Sequence, residues 1–323
     1  MAVVEVADEA KVDPSAKQKP KVNKQFRDRN QIMLARLGWR FTTPALVIVG
    51  AITIFPVVFS IVLSLSNVNI TGNGFQLQGF TFSNYSLLIH SSEWRYSLGF
   101  TVFYTFVSVF IEVVLGTAFA VLMERLSKGR GPMMALLLLP WSIITVISAE
   151  LWQYVYQGTY GVLQYLINSV GFGKPVILGT PTPAIIAMMA ADIWKTTPFV
   201  SVIVLAGLVM LPSDVFEAAS VDGCTPWQSF WKITFPLLRP TLSIAVLFRI
   251  LQAFGVFDLP FVLTSGGPGT STTSLAILGY KVMFDNLQFG PGSAVAVSAT
   301  LLVLIGCLAF LRAFRTQVNG GDL

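Results

Sequence analysis

The sequence predicts an all-α, polytopic membrane protein with six transmembrane helices, and three observations carry that prediction. Of its 323 residues 54% are hydrophobic and 11% charged, at a mean hydropathy of +0.70. One soluble core cannot hide so much apolar surface. Six runs reach the roughly 20 apolar residues that cross a bilayer: near 41–66, 97–123, 132–156, 182–211, 240–264 and 291–314. The basic residues, finally, are unevenly placed. They crowd the N-terminal segment from Lys11 to Arg40, the linker Arg125, Lys128 and Arg130, and then Lys232, Arg239, Arg312 and Arg315. The positive-inside rule puts all of these in the cytoplasm and leaves Arg95, Lys174 and Lys281 outside. An even number of spans returns the C-terminus to the side of the N-terminus, in agreement with Arg312 and Arg315.

The elements follow in order. Residues 1–39 are polar and Lys-rich and read as an unstructured cytoplasmic tail. They lack the layout of a cleavable signal, because the basic residues precede a run too long for one and no small-residue cleavage site follows. A six-helix domain covers 40–316, and 317–323 is a short C-terminal tail. The external segment 67–95, with Gly72, Gly74, Phe80, Phe82, Tyr85 and Trp94, suits an ordered interfacial loop. Within the external stretch 156–183, residues 162–170 between Gly161 and Gly171 predict a short helix. The run SGGPGTSTTS at 265–274 reads as a flexible turn, and 275–287 as a segment along the outer surface. No internal repeat is found. Cys224 and Cys307 offer no disulfide framework or metal cluster, and the lone His90 is neither a metal ligand nor a proton relay. Nothing points to nucleic acid.

Between the fourth and fifth runs lies a polar island, about 212–238. Pro212 ends the fourth run, and Asp214-x-x-Glu217 has the spacing of a capping box opening a short helix through Ala218 and Ala219. Gly223 supplies a left-handed stop. Thr225, Pro226 and Gln228 then start a second short helix. The predicted product is a helix-turn-helix knob on the cytoplasmic side, with Trp227, Phe230 and Trp231 available to fill a partner's groove.

Glu217-Ala218-Ala219, Gly223, Ile233 and Pro236 resemble the E-A-A-x3-G-x9-I-x-L-P loop of ABC-type import permeases, with Phe235 where that family has Leu. The resemblance covers about 40–316, falls on the maltose/glycerol-phosphate-like carbohydrate branch, and extends to the trehalose-importer permeases of mycobacteria. It implies a type I ABC importer permease fold. It also implies that Glu217, Ala218, Ala219, Asp222, Gly223, Trp227, Ile233 and Pro236 couple to an ATPase. The chain has no G-x-x-x-x-G-K-[ST] phosphate loop, so hydrolysis belongs to another subunit, and no catalytic residue, cofactor or metal is expected in this one. ATP and Mg would be bound by the partner ATPase.

Ionisable residues inside spans mark a pathway or a site by default. Counting at about 1.5 Å per residue places Glu150, Asp192 and Asp258 roughly 8–9 Å outward of their span midpoints, with Glu112, Arg249 and Gln252 near the midplane. Asp192 and Lys195 share a helix face, as do Arg249 and Gln252. Pro198 loosens the fourth span beside them, and Trp194 and Phe199 add flat apolar surface. Carboxylate, amide and guanidinium beside aromatics suit a polyhydroxy solute. Asp192 with Arg249 suits a structural ion pair equally, and Glu112 suits packing or an inter-subunit contact. The resemblance, which puts the solute on the spans flanking the loop, implicates Asp192, Lys195, Thr196 and Phe199 before it and Arg249, Gln252, Ala253 and Val256 after it.

The expectation is therefore a non-catalytic permease subunit of an ATP-driven carbohydrate importer in a bacterial plasma membrane, with a disaccharide such as trehalose as solute. The implied partners are a second homologous permease, two ATPase copies, an extracytoplasmic solute-binding lipoprotein and membrane lipid. An ion-coupled secondary transporter, with the buried carboxylates as ion sites, and a non-transporting membrane scaffold are the alternatives.

Overall fold

A computed structural model describes residues 24–71, 74–126, 128–171 and 176–318. Most of the basic tail and Lys174 lie outside the described residues. Helix α1, Lys24–Ser64, begins well before the predicted boundary at 40, so residues 24–39 are helical rather than an unstructured tail. Ala35 and the Leu and Arg residues around it favour helix strongly enough to extend the span upstream. The chain divides after Val58 into two units. In the first, the apolar side chains of α1 are largely exposed, Phe41 at 79% and Phe55 at 70%.

The second unit opens with an antiparallel hairpin, β1 (Ser66–Thr71) and β2 (Gly74–Phe80), where a loop was expected. The alternation of Asn, Val, Asn, Ile against Phe, Gln, Leu, Gln supplies the period of two that strands need. Helix α2, Ser83–His90, follows, and its buried Asn84 donates to the carbonyls of Ser64 and Ser66 at 2.9 and 3.0 Å. That amide ties the hairpin's base to α2.

Helix α3, Ser92–Glu124, is the second span. The third is broken: α4, Arg130–Ser142, meets α5, Thr145–Tyr156, at a bend of 90°. Pro140 removes one helical hydrogen bond, and the β-branched run Ile143, Ile144 and Thr145 favours extended backbone at the break. The predicted short helix is present as α6, Val162–Ser169, between Gly161 and Gly171. Helix α7, Pro181–Val209, runs unbroken through Pro198.

The knob contains α8, Ser213–Val221, and α9, Pro226–Ser229. A π-helical turn at Phe230–Thr234 joins α9 to α10, Phe235–Phe254. The fifth span therefore runs continuously from Pro226 to Phe254 rather than over 240–264. Gly255 ends it, and Asp258–Thr264 is a separate short helix, α11. The expected flexible turn at 265–274 is instead a hydrogen-bonded one whose second part, 271–274, is buried. Thr272 and Thr273 donate to the carbonyls of Gly267 and Gly266, and Ser274 to that of Val256 at 2.7 Å. Hydroxyls at three successive positions supplement the turn's backbone bonds, among them Gly267 N–H to the Thr264 carbonyl at 2.9 Å. Helix α12, Leu275–Tyr280, buries Leu275, Ile277 and Leu278 against its neighbours rather than lying on the surface. A second π turn, Lys281–Asp285, leads to α13, Phe289–Val318.

The centre is the packing of α3, α7 and α10. A Cβ added at Gly116 of α3 would stand 2.7 Å from Val200 of α7, and one at Gly207 of α7 would stand 2.6 Å from Thr241 of α10. Each glycine permits a close helix approach that no side chain allows. We predict that Gly116→Leu lowers the unfolding midpoint of the detergent-purified protein by the equivalent of about 1–3 kcal/mol of overpacking. Gly306→Leu, at a position with nothing within 4 Å, should leave that midpoint in place.

Candidate functional site

Two features carry chemistry, the knob and a buried ionic cluster, and both are built on α7 and α10. In the knob, Gly223 takes φ +73°, the left-handed stop its position predicts. Its N–H donates to the Ser220 carbonyl at 3.1 Å, and those of Asp222 and Cys224 donate to the carbonyls of Ala218 and Ala219, so three of the last carbonyls of α8 are satisfied. The start of α8 differs from expectation. Pro212 is the N-cap and no side chain caps the helix, because Asp214 already lies in the first turn. At α9 the capping box is formed: Thr225 Oγ1 accepts from the Gln228 N–H and Gln228 Oε1 from that of Thr225, at 3.3 and 3.0 Å.

Of the knob residues singled out in the sequence, Glu217, Ala218, Asp222 and Gly223 are exposed, Ile233 and Pro236 are half-buried, and Ala219 is buried under α8. Trp227 and Trp231 are exposed, and Val221 is 87% exposed. Phe230 is half-buried and stacks edge-on to Trp231 at 5.2 Å, with Trp231 against Phe235 at 5.3 Å. The aromatic residues thus form a ladder up the start of the fifth span, only part of which faces out.

The buried cluster is centred on Arg249 of α10, a residue with 2% exposure. Its Nε donates to Glu112 Oε2 of α3 and its Nη2 to Glu112 Oε1 at 2.8 Å, a bidentate pair. Nη2 also reaches Asp192 Oδ2 of α7 at 3.2 Å, and Nη1 donates to Gln252 Oε1 at 2.9 Å. The Thr196 hydroxyl lies 2.8 Å from Glu112 Oε1 and 2.7 Å from the Asp192 carbonyl. A guanidinium is planar and offers a fixed fork of donors, which matches a carboxylate in two places at once. The fork in effect joins three spans.

Sequence reading anticipated the Asp192–Arg249 contact but misjudged Glu112, which is Arg249's main partner. A lone acid at an apolar midspan must find a cation, and Arg249 was the basic residue at matching depth. Depth counting set Arg249 near the midplane and Asp192 further out, whereas the guanidinium fork reaches the carboxylates of both Glu112 and Asp192. Asp258 lies beyond the end of that span, in the first turn of α11. It and Glu150 of α5 are exposed, and neither hydrogen-bonds to the cluster. Ala253 belongs to the apolar core and the partly buried Val256 packs on it.

Lys195 is buried beside Asp192, and Gln252 is exposed at the edge of the cluster. Phe199 stacks on Trp141 of α4 at 5.9 Å and meets Phe248 of α10 edge-on at 6.3 Å. Neither Trp141 nor Phe248 was singled out in the sequence, since isolated aromatics are common in membrane proteins. Trp194 packs edge-on to Trp152 at 5.5 Å.

Residues 113–318 match the family described as binding-protein-dependent transport system inner membrane component. The chain belongs to this family. It is accordingly a membrane subunit of a transport system, and the match spans the knob together with Asp192 and Arg249. The chain is 38% identical over 282 residues to the trehalose/maltose transport system permease protein MalF of Thermococcus litoralis, covering 87% of this chain and 94% of that one. It is 35% identical over 294 residues to the trehalose transport system permease protein SugA of Mycobacterium tuberculosis, covering 89% and 91%. The fold matches a chain of a bacterial ABC transporter that imports the acidic polysaccharide alginate, with a TM-score of 0.78 at 20% identity, over 90% of this permease and 99% of that chain. An alginate transporter in complex with its pentasaccharide-bound periplasmic protein matches with a TM-score of 0.76, at 20% identity and over 91% and 97%.

Removing Arg249 alone strands two carboxylates inside the helix bundle. Arg249→Met should destabilise the permease by about 3–5 kcal/mol, the usual cost of breaking a buried pair, read as a drop in folded yield and unfolding midpoint. The double variant Glu112→Gln with Arg249→Met should recover part of that loss, because Glu112 no longer carries a charge while Asp192 still lacks the guanidinium.

Proposed function

We propose that this chain is the transmembrane permease subunit of an ATP-driven importer of a neutral carbohydrate, with a disaccharide such as trehalose as solute. The observation that carries the reading is the shared framework: the two helices that enter and leave the exposed knob, α7 and α10, also hold the polar cluster and its aromatic edge. The names of the relatives support the solute class. The acidic polymer of the structurally similar transporter bears only on fold.

In this reading a second, homologous permease completes the pathway and two ATPase copies grip the two knobs. An extracytoplasmic binding protein delivers the sugar. ATP and Mg belong to the ATPase. The termini lie in the cytoplasm of a bacterial cell, as the basic residues near both ends favour. Glu217, Ala218 and Asp222 on α8, with Trp227 on α9, supply the exposed docking face, and Ala219, Ile233 and Pro236 shape it from beneath.

The solute groups are narrower than the sequence implied. Arg249 already serves Glu112, Asp192 and Gln252, so it orients the site rather than binding sugar. Gln252, with Oε1 held by Arg249, keeps its two amide N–H donors for a solute hydroxyl. Lys195 adds an ammonium, and Phe199 with Trp141 and Phe248 offers apolar surface for the C–H face of a sugar ring.

Uptake of radiolabelled trehalose by the reconstituted importer tests this reading. Transport should require ATP and the binding protein, and Gly223→Pro should abolish it while membrane insertion continues. Proline fixes φ near −65° and has no N–H, so it can neither take the left-handed turn nor donate to Ser220. Uptake by this chain alone, or wild-type uptake by the variant, would refute the coupling role. Gln252→Ala and Phe199→Ala should each raise the KM for sugar by about 3–30-fold, the loss expected for one hydrogen bond or one stacking face. Unchanged KM in both would remove them from the site.

A further inference from the structure

We propose that Glu112 is the positioning residue of a three-helix lever: through Arg249 and Asp192 it clamps α3, α7 and α10 into one body that moves with the knob. The inference rests on the permease reading above and goes beyond it to how knob motion reaches the membrane.

α7 runs into the knob and α10 runs out of it, so a pull on the knob acts on both helices at once. Without a common anchor that pull would be spent in sliding one helix past the other, since packed elements can ratchet past each other by a whole turn, about 5 Å. Two close approaches restrain such sliding, at Gly207 against Thr241 between α7 and α10 and at Gly116 against Val200 between α3 and α7. Neither joins α3 to α10 directly. The ionic cluster does. Glu112 is fully buried and takes both Nε and Nη2 of Arg249. A bidentate fork resists rotation as well as translation, because either movement breaks one of two parallel bonds. Asp192 ties α7 into the same fork, and Thr196 donates to Glu112 from α7 as well. The alternative to these bonds is an unpaired charge among apolar side chains, so the clamp cannot slip by degrees.

The test places spin labels at Phe103→Cys on α3 and Leu237→Cys on α10, both exposed positions, with Cys224 and Cys307 replaced by Ser. Their separation is measured by pulsed electron resonance in the full importer, with and without a non-hydrolysable ATP analogue. With Glu112 intact the separation should hold within about 2 Å between nucleotide states, and in Glu112→Gln it should shift by about 5 Å, one helical turn of slip. In proteoliposomes the same variant should raise ATP hydrolysed per sugar imported by about tenfold, a large change in coupling for one residue. If Glu112→Gln fails to assemble, Glu112→Gln with Arg249→Met removes both charges and must show the same slip. A separation that changes between states with Glu112 intact overturns the lever. So does one that stays fixed in the variants, or failure of both variants to assemble, which marks the cluster as scaffolding alone. The labels need no solute, so an importer that ignores trehalose would contradict the proposed sugar and not the lever.

Discussion

A guanidinium in the middle of an apolar helix has to be compensated, and in this permease the compensation of Arg249 organises the rest. Its fork faces Glu112 on α3, which is wholly buried, and Asp192 on α7, which sits nearer the edge. Meeting both at once sets the register among three spans that apolar packing alone would leave free to slide. Buried ion pairs gain little net stability over well-packed apolar residues. They do gain definition, because few arrangements satisfy every donor and acceptor.

The glycines at 116 and 207 serve the same end by a different force. Within a bilayer, helices cannot rely on expulsion from water, so close backbone approach and dispersion do most of the work of association. Polar bonds at one level and small-residue contacts at others give α3, α7 and α10 a common frame. On one side the knob joins that frame continuously, since α9, the π turn and α10 form one path from Pro226 to Phe254, whereas residues 210–212 separate α8 from α7. The π turn at Phe230–Thr234 adds a residue to the local period, a feature often found at functional positions in helices.

The knob was readable in the chain because its signals are local. Gly223 needs positive φ, Thr225 and Gln228 are three apart, and Pro226 suits a helix start, whatever lies around them. The spans were readable for a similar reason, since length and apolarity decide insertion. Their boundaries were less so. The break between α4 and α5 turns on Pro140 and a β-branched run that apolarity averages away. The hydroxyls at 272–274 look like a loose turn until the carbonyls they meet, those of Gly267, Gly266 and Val256, are brought beside them. The site was partly legible: Asp192, Arg249 and Gln252 stood out as charges or amides in apolar surroundings, whereas Trp141 and Phe248 carried no mark.

What the sequence determined by itself is a six-span membrane chain with a turn-forming knob between its fourth and fifth spans, because hydropathy, capping and glycine conformation act over a few neighbouring residues. Only the tertiary structure decided which charge answers which. Glu112 and Arg249 are 137 residues apart, and their pairing depends on where two helices start and how deeply each is set. One guanidinium meets carboxylates on two other helices at once, and no local signal in the chain specifies that arrangement. Only the packing of α3, α7 and α10 places Arg249 against Glu112, Asp192 and Gln252 together.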